Sequence, residues 1–252
     1  MGRVQDKVAL VTGGAGGVGR ETVLLLAREG ARVAIGDIDV EAGAALAAAL
    51  GERAMFVRHD VASEADWAAA MAAVQERLGP LDILVNNAGI LVAGSIATAT
   101  LAQFQALMQV NAGSCFLGCQ FGVAAMKERG GAIVNMASVS SWLPIEGYVA
   151  YSASKAAVAA LTRSTALYCR QNGLAVRVNS VHPDGIYTPM MQASAPGVAA
   201  RHLLHDPKSN RRGRACLPEH IADVMLFLAS DESRAISGAE IHADNAILGM
   251  GL

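Results

Sequence analysis

Residues 12–19 read Thr12-Gly13-Gly14-Ala15-Gly16-Gly17-Val18-Gly19. An apolar run at 7–12 predicts a strand before this stretch, and the apolar spacing over 20–29 predicts a helix after it. Between a strand and a helix, glycines permit a tight turn and let the backbone approach a pyrophosphate at the helix N-terminus. The stretch therefore predicts the first strand-turn-helix unit of a dinucleotide-binding domain.

The alternation of strand and helix continues along the chain. Apolar runs predict further strands at 32–37, 55–59, 81–85, 132–138, 176–181 and 240–242. Helices are predicted at 39–51, 63–78, 100–130, 151–172 and 218–230. Because most strands are apolar on both faces, we expect a doubly wound α/β fold of Rossmann type, with a mostly parallel sheet and helices on each side. We expect residues 1–252 to form a single domain, and we interpret the aperiodic stretch 188–217 as a candidate substrate lid.

The composition excludes several classes of protein. The 252 residues are 53% hydrophobic, and 20 Lys and Arg against 22 Asp and Glu give a net charge of −2. This balance argues against a strongly basic protein held by nucleic acid or anionic lipid. No run approaches the roughly 18 apolar residues that a membrane-spanning helix requires, and the first residues do not resemble a signal peptide. We therefore expect a soluble, cytoplasmic protein with no nucleic-acid or membrane partner.

Neither the cysteines nor the histidines predict a metal site. The four cysteines are too few and too dispersed for a disulfide scaffold. Cys115 and Cys119 would share one side of a helix, but no further ligand lies between them. The six histidines show no pairing that resembles a zinc motif. We expect buried free thiols and no metal.

Asp37 ends the second predicted strand, about 20 residues beyond the glycines. A carboxylate at this position can accept hydrogen bonds from both ribose hydroxyls of an adenosine. It would repel the 2'-phosphate of NADP, and no Lys or Arg between Gly13 and Gly19 could neutralise it. The sequence therefore favours NAD; the alternative is that Asp37 only caps a loop.

Tyr151 and Lys155 lie four residues apart at the start of a predicted helix, so their side chains rise from one face. An adjacent ammonium favours the phenolate and lowers the pKa of a tyrosine from its usual value of about 10. Such pairs also occur on ordinary solvated helix faces. Ser138 gives this pair a context, because it ends the preceding predicted strand and ligands bind beyond the carboxyl ends of parallel strands.

Five motifs together resemble the short-chain dehydrogenase/reductase family over nearly the entire chain. They are residues 12–19, Asn86-Asn87-Ala88-Gly89, Asn111, Ser138 and Tyr151-Ser152-Ala153-Ser154-Lys155. Four further stretches, at 58–61, 136–144, 182–191 and 247–252, resemble the bacterial 3β/17β-hydroxysteroid dehydrogenases of that family. The sequence departs from the common family pattern after Pro183, where Asp184 replaces the usual glycine.

The resemblance implies a catalytic set of Asn111, Ser138, Tyr151 and Lys155. Tyr151 would be the general acid in ketone reduction and the general base in alcohol oxidation. Ser138 would hold and polarise the substrate oxygen. Lys155 would lower the pKa of Tyr151 and hydrogen-bond the nicotinamide ribose, and Asn111 would bend the central helix and position a relay water.

The resemblance also implies the residues that meet the cofactor. Asp60 and Val61 would contact the adenine, Asn87 would support a ribose, and Ile186 and Thr188 would hold the nicotinamide carboxamide. With these, the predicted NAD site comprises Gly13, Gly17, Val18, Gly19, Asp37, Asp60, Val61, Asn87, Ala88, Gly89, Tyr151, Lys155, Pro183, Ile186 and Thr188.

The substrate is predicted with less support from the residues themselves. Trp142, Leu143, Met190 and Met191 lie where the family places its substrate pocket, beside Ser138, and an apolar wall would suit a steroid. These side chains could equally be ordinary core or lid packing.

The resemblance implies an NAD-dependent homotetramer that interconverts 3β- or 17β-hydroxysteroids and ketosteroids. The alternatives are a dehydrogenase of other bulky secondary alcohols and a nucleotide-binding sensor without catalysis.

Overall fold

The computed structural model describes residues 2–194 and 197–250. Its centre is a seven-stranded sheet with the strand order β3-β2-β1-β4-β5-β6-β9, in which each neighbouring pair is parallel. The strands are β1 (Val8–Thr12), β2 (Arg32–Asp37), β3 (Ala54–Arg58), β4 (Ile83–Asn86), β5 (Gly131–Met136), β6 (Val176–Pro183) and β9 (Glu240–Ala243). A separate short pair joins β7 (Gly185–Ile186) to β8 (Ala215–Cys216). The predicted doubly wound α/β fold of Rossmann type is confirmed.

Helices cover both faces of the sheet. They are α1 (Gly17–Arg28), α2 (Val40–Leu50), α3 (Glu64–Arg77), α4 (Leu101–Leu107), α5 (Ser114–Met126), α6 (Val149–Gln171), α7 (Pro189–Ser194), α8 (Ala200–Leu203) and α9 (Pro218–Ala229). Alternate residues of β1 enter two different cores, since Ala9 and Val11 pack in the core with α1 and α9. Val8 and Leu10 pack in the core with α3, α5 and α6. Strands that are apolar on both faces are explained by this double burial.

Side-chain caps set the starts of three helices where the sequence predicted them. Asp39 accepts a hydrogen bond from the Ala42 amide at the start of α2. Ser63 accepts one from the Asp66 amide at the start of α3. Thr100 forms a reciprocal capping box with Gln103 at the start of α4. These bonds satisfy amides that have no partner within the helix.

One prediction of local structure was wrong. The stretch 100–130 is not one continuous helix, because a π-helical turn at Met108–Gly113 separates α4 from α5 and α5 ends at Met126. The aperiodic segment 188–217 contains the short elements α7, α8 and β8, and its role as a lid stays a prediction. Residues 195 and 196 of that segment, and residues 251 and 252 of the C-terminal stretch, lie outside the described residues. Within the described ranges, no helix is both long and apolar enough to cross a membrane.

Candidate active site

A cleft of about 320 Å³ opens at the carboxyl ends of β1, β4, β5 and β6. The glycine turn forms one side of it, and the starts of α6 and α7 form the other. Ser138, Tyr151 and Lys155 all line this cleft, together with Met190 of α7. Ligands of open parallel sheets bind at this edge, so we take the cleft as the candidate site.

A larger cavity of about 830 Å³ lies at the opposite edge, where the strands begin. Its lining includes Lys7, Arg129, Arg170 and Arg177, and none of the four side chains predicted to be catalytic. Size alone therefore does not identify the site. The smaller cleft is identified as the site because polar groups that can transfer a proton converge there.

Three of the predicted catalytic side chains meet at the end of β5. Ser138 follows that strand, and its hydroxyl oxygen accepts hydrogen bonds from the Ser140 hydroxyl at 2.9 Å and the Ser140 amide at 3.2 Å. Tyr151 lies in the first turn of α6 and forms a hydrogen bond with the Ser138 side chain. Lys155, one turn later, donates to the main-chain oxygen of Met136 at 2.8 Å.

Burial controls the protonation of both groups on α6. It raises the pKa of Tyr151, and the hydrogen bond with Ser138 lowers that pKa only in part. It also lowers the pKa of Lys155 to about 8. The net shift of the Tyr151 pKa is therefore upward, and burial is its largest cause. Lys155 is not among the groups that shift this pKa, so its predicted effect on Tyr151 stays a prediction.

Asn111 lies in the π-helical turn between α4 and α5. Its side-chain oxygen accepts from the Ile90 amide at 2.8 Å, and its side-chain nitrogen donates to the Ile90 oxygen and to Ser154 Oγ, both at 3.0 Å. Asn111 also faces Lys155 across Gly89. A Cβ at Gly89 would lie 3.1 Å from the Asn111 amide oxygen and 3.5 Å from Lys155 Nζ. The fourth predicted catalytic residue thus borders the same space.

The glycine turn is held by contacts that exclude larger residues. Gly13 and Gly17 have φ values of 62° and 51°, in the left-handed region that favours glycine. A Cβ at Gly19 would lie 2.0 Å from the Gly13 oxygen. Asn87 Nδ2 fixes this turn by donating to the oxygens of Thr12 at 3.0 Å and Gly13 at 3.1 Å.

This geometry fits a bound dinucleotide. A Cβ at Gly16 would meet nothing within 4 Å, so the turn leaves open space beside the N-terminus of α1. Pro183, Ile186 and Thr188 line the opposite side of the cleft. The Thr188 methyl lies 3.5 Å from the position of a Cβ at Gly17, which measures how closely the two sides approach. Predicted cofactor residues that line the cleft are Gly13, Gly17, Val18, Asn87, Ala88, Gly89, Tyr151, Lys155, Pro183, Ile186 and Thr188.

The residues predicted for the adenosine half lie outside the cleft lining. Asp37 Oδ2 accepts from the Ala15 amide at 2.9 Å, which ties the glycine turn to the end of β2. Asp60 Oδ1 accepts from the Ala62 amide at 3.0 Å, and the Val61 oxygen accepts from Trp67 Nε1 at 3.0 Å. These contacts order the loops that follow β2 and β3.

The departure from the family pattern at Asp184 has a structural partner. Arg214 Nε and Nη2 donate to the two carboxylate oxygens of Asp184, at 2.7 and 3.0 Å. Asp184 does not have a positive φ, so its backbone does not require glycine. Arg214 lies just before β8, and the pair therefore joins the segment after β6 to the end of the candidate lid. The sequence analysis missed this pair, because nothing in the spacing links the two residues.

Only some of the predicted substrate residues line the cleft. Ser138 and Met190 line the cleft, whereas Trp142, Leu143 and Met191 do not. Trp142 turns toward the sheet edge, where its Nε1 donates to Glu240 Oε2 at 2.5 Å.

Six residues of the cleft lining were not predicted from the sequence. Of these, Ile90 could have been found because it directly follows the Asn86–Gly89 motif. The missed residues are Gly16, Ile90, Met136, Ala137, Asp184 and Pro189.

Comparisons with known proteins agree with this geometry. Residues 13–246 match a family described as enoyl-(acyl carrier protein) reductase, which belongs to the short-chain dehydrogenases/reductases. The chain belongs to the short-chain dehydrogenase/reductase family. It is therefore a member of a family of oxidoreductases.

Three curated relatives of this short-chain dehydrogenase/reductase show the range of the family. A 3-beta-hydroxysteroid dehydrogenase of Comamonas testosteroni is 67% identical over 251 residues, covering 99% of each chain. A 3-alpha-(or 20-beta)-hydroxysteroid dehydrogenase of Mycobacterium tuberculosis is 40% identical, covering 96% of this chain and 90% of the relative. A cyclopentanol dehydrogenase of a Comamonas species is 38% identical, covering 97% and 98%.

Proposed function

We propose that this protein is an NAD-dependent oxidoreductase that interconverts 3β- or 17β-hydroxysteroids and ketosteroids. The observation that carries the proposal is the 67% identity, over 99% of both chains, with a 3-beta-hydroxysteroid dehydrogenase. The cleft supports it, because Ser138 and Tyr151 line it together with the apolar Met190. A flat hydrocarbon skeleton with one reactive oxygen suits such a surface.

The proposed mechanism assigns the proton to Tyr151. When bound, the nicotinamide cofactor supplies or accepts the hydride. In ketone reduction, the Tyr151 hydroxyl donates its proton to the substrate oxygen as that oxygen gains charge. Ser138 orients the same oxygen by a hydrogen bond. The Lys155 ammonium stabilises the phenolate that remains, and Asn111 positions a water that returns a proton to it.

The proposed preference for NAD over NADP depends on the charge of Asp37. Asp37 lies at the end of β2 beside the glycine turn, where its carboxylate accepts from the Ala15 amide. A 2'-phosphate beside this carboxylate would place two like charges together in a partly buried site. Ribose hydroxyls would instead donate to its free lone pairs.

We propose a cytoplasmic homotetramer. Leu167 and Tyr168 of α6 each expose 53% of their surface, and Phe116 of α5 exposes 50%. Large apolar side chains of this kind on neighbouring helices support an interface between subunits. Free thiols at Cys115, Cys119 and Cys169 support a reducing compartment.

The experiment that tests the proposed function is a substrate panel measured with NAD. It compares kcat/KM for 3β- and 17β-hydroxysteroids with kcat/KM for cyclopentanol and bulky aryl alcohols. We expect the steroids to be preferred by at least about tenfold, the effect of one or two buried methylene groups. A preference for the non-steroidal alcohols would favour the second candidate, which the cyclopentanol dehydrogenase relative supports. No reduction of NAD with any alcohol would favour a nucleotide-binding sensor.

A further inference from the structure

Three potential metal ligands converge at the edge of the sheet behind Ser138. The parallel register of β6 and β9 places His182 opposite His242 and Ser180 opposite Glu240. Glu240 and His242 are two residues apart, so their side chains project from the same face of β9. One ligand atom from each of His182, Glu240 and His242 lies within 4.8 Å of the others.

The geometry of the three side chains is close to that of a coordination site. The His182 and His242 rings meet edge to face with centres 5.4 Å apart, and His182 Nε2 lies 3.5 Å from Glu240 Oε2. Ligands of a tetrahedral zinc ion, each 2.0–2.2 Å from the metal, stand about 3.4 Å apart. Small side-chain rotations would bring the three atoms to these distances.

Neighbouring groups already hold His182 in the form that binds a metal. His182 Nδ1 lies 3.1 Å from the Ser138 main-chain oxygen, which can only accept, so Nδ1 carries the proton. Nε2 is then a lone-pair donor, and its 2.8 Å contact with Ser180 Oγ is one in which the serine donates. A backbone carbonyl on the second ring nitrogen is the usual outer partner of a metal-bound histidine.

Glu240 is oriented in a comparable way by two donors. Arg163 forms an ion pair with Oε1, and Trp142 Nε1 donates to Oε2. A carboxylate oxygen has two lone pairs, so Oε2 retains one on the side that faces His182. The Arg163 guanidinium also lies 5.7 Å from the centre of the Trp142 ring, so the two side chains that orient Glu240 contact each other.

We propose that His182, Glu240 and His242 form a binding site for a divalent transition-metal cation of the zinc type. Two imidazoles and one carboxylate are a known zinc ligand set that leaves a fourth position for water. Of the three ligands, His242 is exposed, so a cation reaches the site from solvent. This proposal does not depend on the steroid activity, and it departs from the sequence analysis, which predicted no metal. The three residues sit on two strands far apart in the chain, and no motif spacing connects them.

The test is zinc binding by the intact, untagged protein, measured by isothermal titration calorimetry at pH 7.5. We compare the wild type with His242→Ala and with His220→Ala, which removes an exposed histidine from α9 outside the cluster. We expect one Zn²⁺ per chain with a Kd of about 10 µM or tighter in the wild type and in His220→Ala. His242→Ala should weaken binding by at least about tenfold, the effect of losing a ligand. Any smaller loss, or no saturable binding at about 1 mM Zn²⁺, overturns the proposal.

A thermal readout separates a specific site from nonspecific binding of zinc to thiols. Zinc at about 100 times the Kd should raise the Tm of the wild type by at least about 4 °C and leave that of His242→Ala nearly unchanged. Equal thermal shifts in the wild type and His242→Ala would place the cation elsewhere and reject the site.

Discussion

The Lys155 ammonium nitrogen lies 5.8 Å from the centre of the Tyr151 ring, while its hydrogen bond goes to the main-chain oxygen of Met136. Both groups are deeply placed, and burial disfavours the charged form of each: it raises the pKa of Tyr151 and lowers that of Lys155. In this state Tyr151 is a protonated acid at neutral pH, which is the form that ketone reduction requires.

Replacing Tyr151 by phenylalanine should abolish proton transfer and preserve the site. The ring remains, so the Kd for NAD should change less than about threefold, while kcat should fall by at least about 10²-fold, the usual effect of losing an acid/base group. Steady-state kinetics and NAD titration measure the two quantities. Tyr168→Phe is the matched control, because Tyr168 lies on the same helix but does not line the cleft. Near-normal turnover in Tyr151→Phe would reject the proposed mechanism.

The raised pKa of Tyr151 can be observed directly in the protein without cofactor. Tyrosinate absorbs in the ultraviolet, so subtracting the pH titration of Tyr151→Phe from that of the wild type isolates this phenol. We expect the difference to appear only above pH 10, the usual pKa of tyrosine. Because the folded-state pKa is raised, the phenol remains protonated through neutral pH. A transition between pH 7 and 9 would instead mean that the Lys155 charge outweighs burial.

The sequence was sufficient for those features that depend on local patterns. The glycine turn, the helix starts at residues 39 and 63, and the alternation of apolar runs each depend on a few neighbouring residues of the chain, and the structure confirms them. The resemblance implied that Asn111 bends the central helix, but the apolar spacing did not predict the π-helical turn, in which Asn111 bonds to Ile90, 21 residues earlier in the chain. The helical spacing of apolar residues continues across such a turn and therefore does not predict it.

In the candidate site, too, local motifs predicted which residues meet, but not the properties that depend on the folded chain. Ser138, Tyr151 and Lys155 were predicted from motifs and meet in the cleft, but the direction of the Tyr151 pKa shift depends on burial, which spacing does not reveal. Trp142 was predicted to face the substrate. Its indole instead bonds to Glu240 on β9, a partner nearly one hundred residues further along the chain.

The charge of Asp37 should determine the preference for NAD over NADP. Asp37→Ala should reduce the ratio of kcat/KM values for NAD and NADP by about tenfold or more, because it removes a like charge from beside the 2'-phosphate. Asp37→Asn separates charge from structure, since an amide oxygen can still accept from the Ala15 amide. Asp39→Ala is the control for a nearby exposed carboxylate that caps α2. An unchanged ratio in both Asp37 variants would mean that this carboxylate does not meet the ribose.

The ion pair between Arg214 and Asp184 should hold the candidate lid against the segment after β6. Arg214→Gln leaves the Asp184 carboxylate, only 9% exposed, without its cation. We expect KM for the alcohol to rise by about 3- to 10-fold with a smaller change in kcat, the equivalent of about 1 kcal/mol of lost hydrogen bonding. Steady-state kinetics measure both constants, and Arg212→Gln serves as an exposed control.

A double variant distinguishes the pair from a general effect of charge. Adding Asp184→Asn to Arg214→Gln removes the unpaired carboxylate, so the double variant should lose less than Arg214→Gln alone. Additive losses in KM would show that the two residues act independently.

His59 should make the fold sensitive to mild acid. The side chain is 1% exposed, lies edge to face with Trp67 at 4.4 Å, and has no hydrogen-bond partner for either ring nitrogen among the described residues. Burial lowers its pKa to about 4 from an ordinary value of 6.5. Because the unfolded chain binds the proton more tightly, the stabilisation from the neutral ring is fully present above pH 6.5 and is lost as the pH falls toward 4. The loss is about 3 kcal/mol.

Urea unfolding between pH 7 and pH 4 measures this loss. His59→Gln cannot titrate, so its free energy of unfolding should fall by about 3 kcal/mol less than that of the wild type over the same range. His220→Gln removes an exposed histidine and should retain the wild-type slope. His182, whose pKa burial also lowers to about 4, titrates in all three proteins and cancels from the comparison. Parallel pH profiles for the wild type and His59→Gln would mean that His59 gains a proton without unfolding the chain, through local opening beside Trp67.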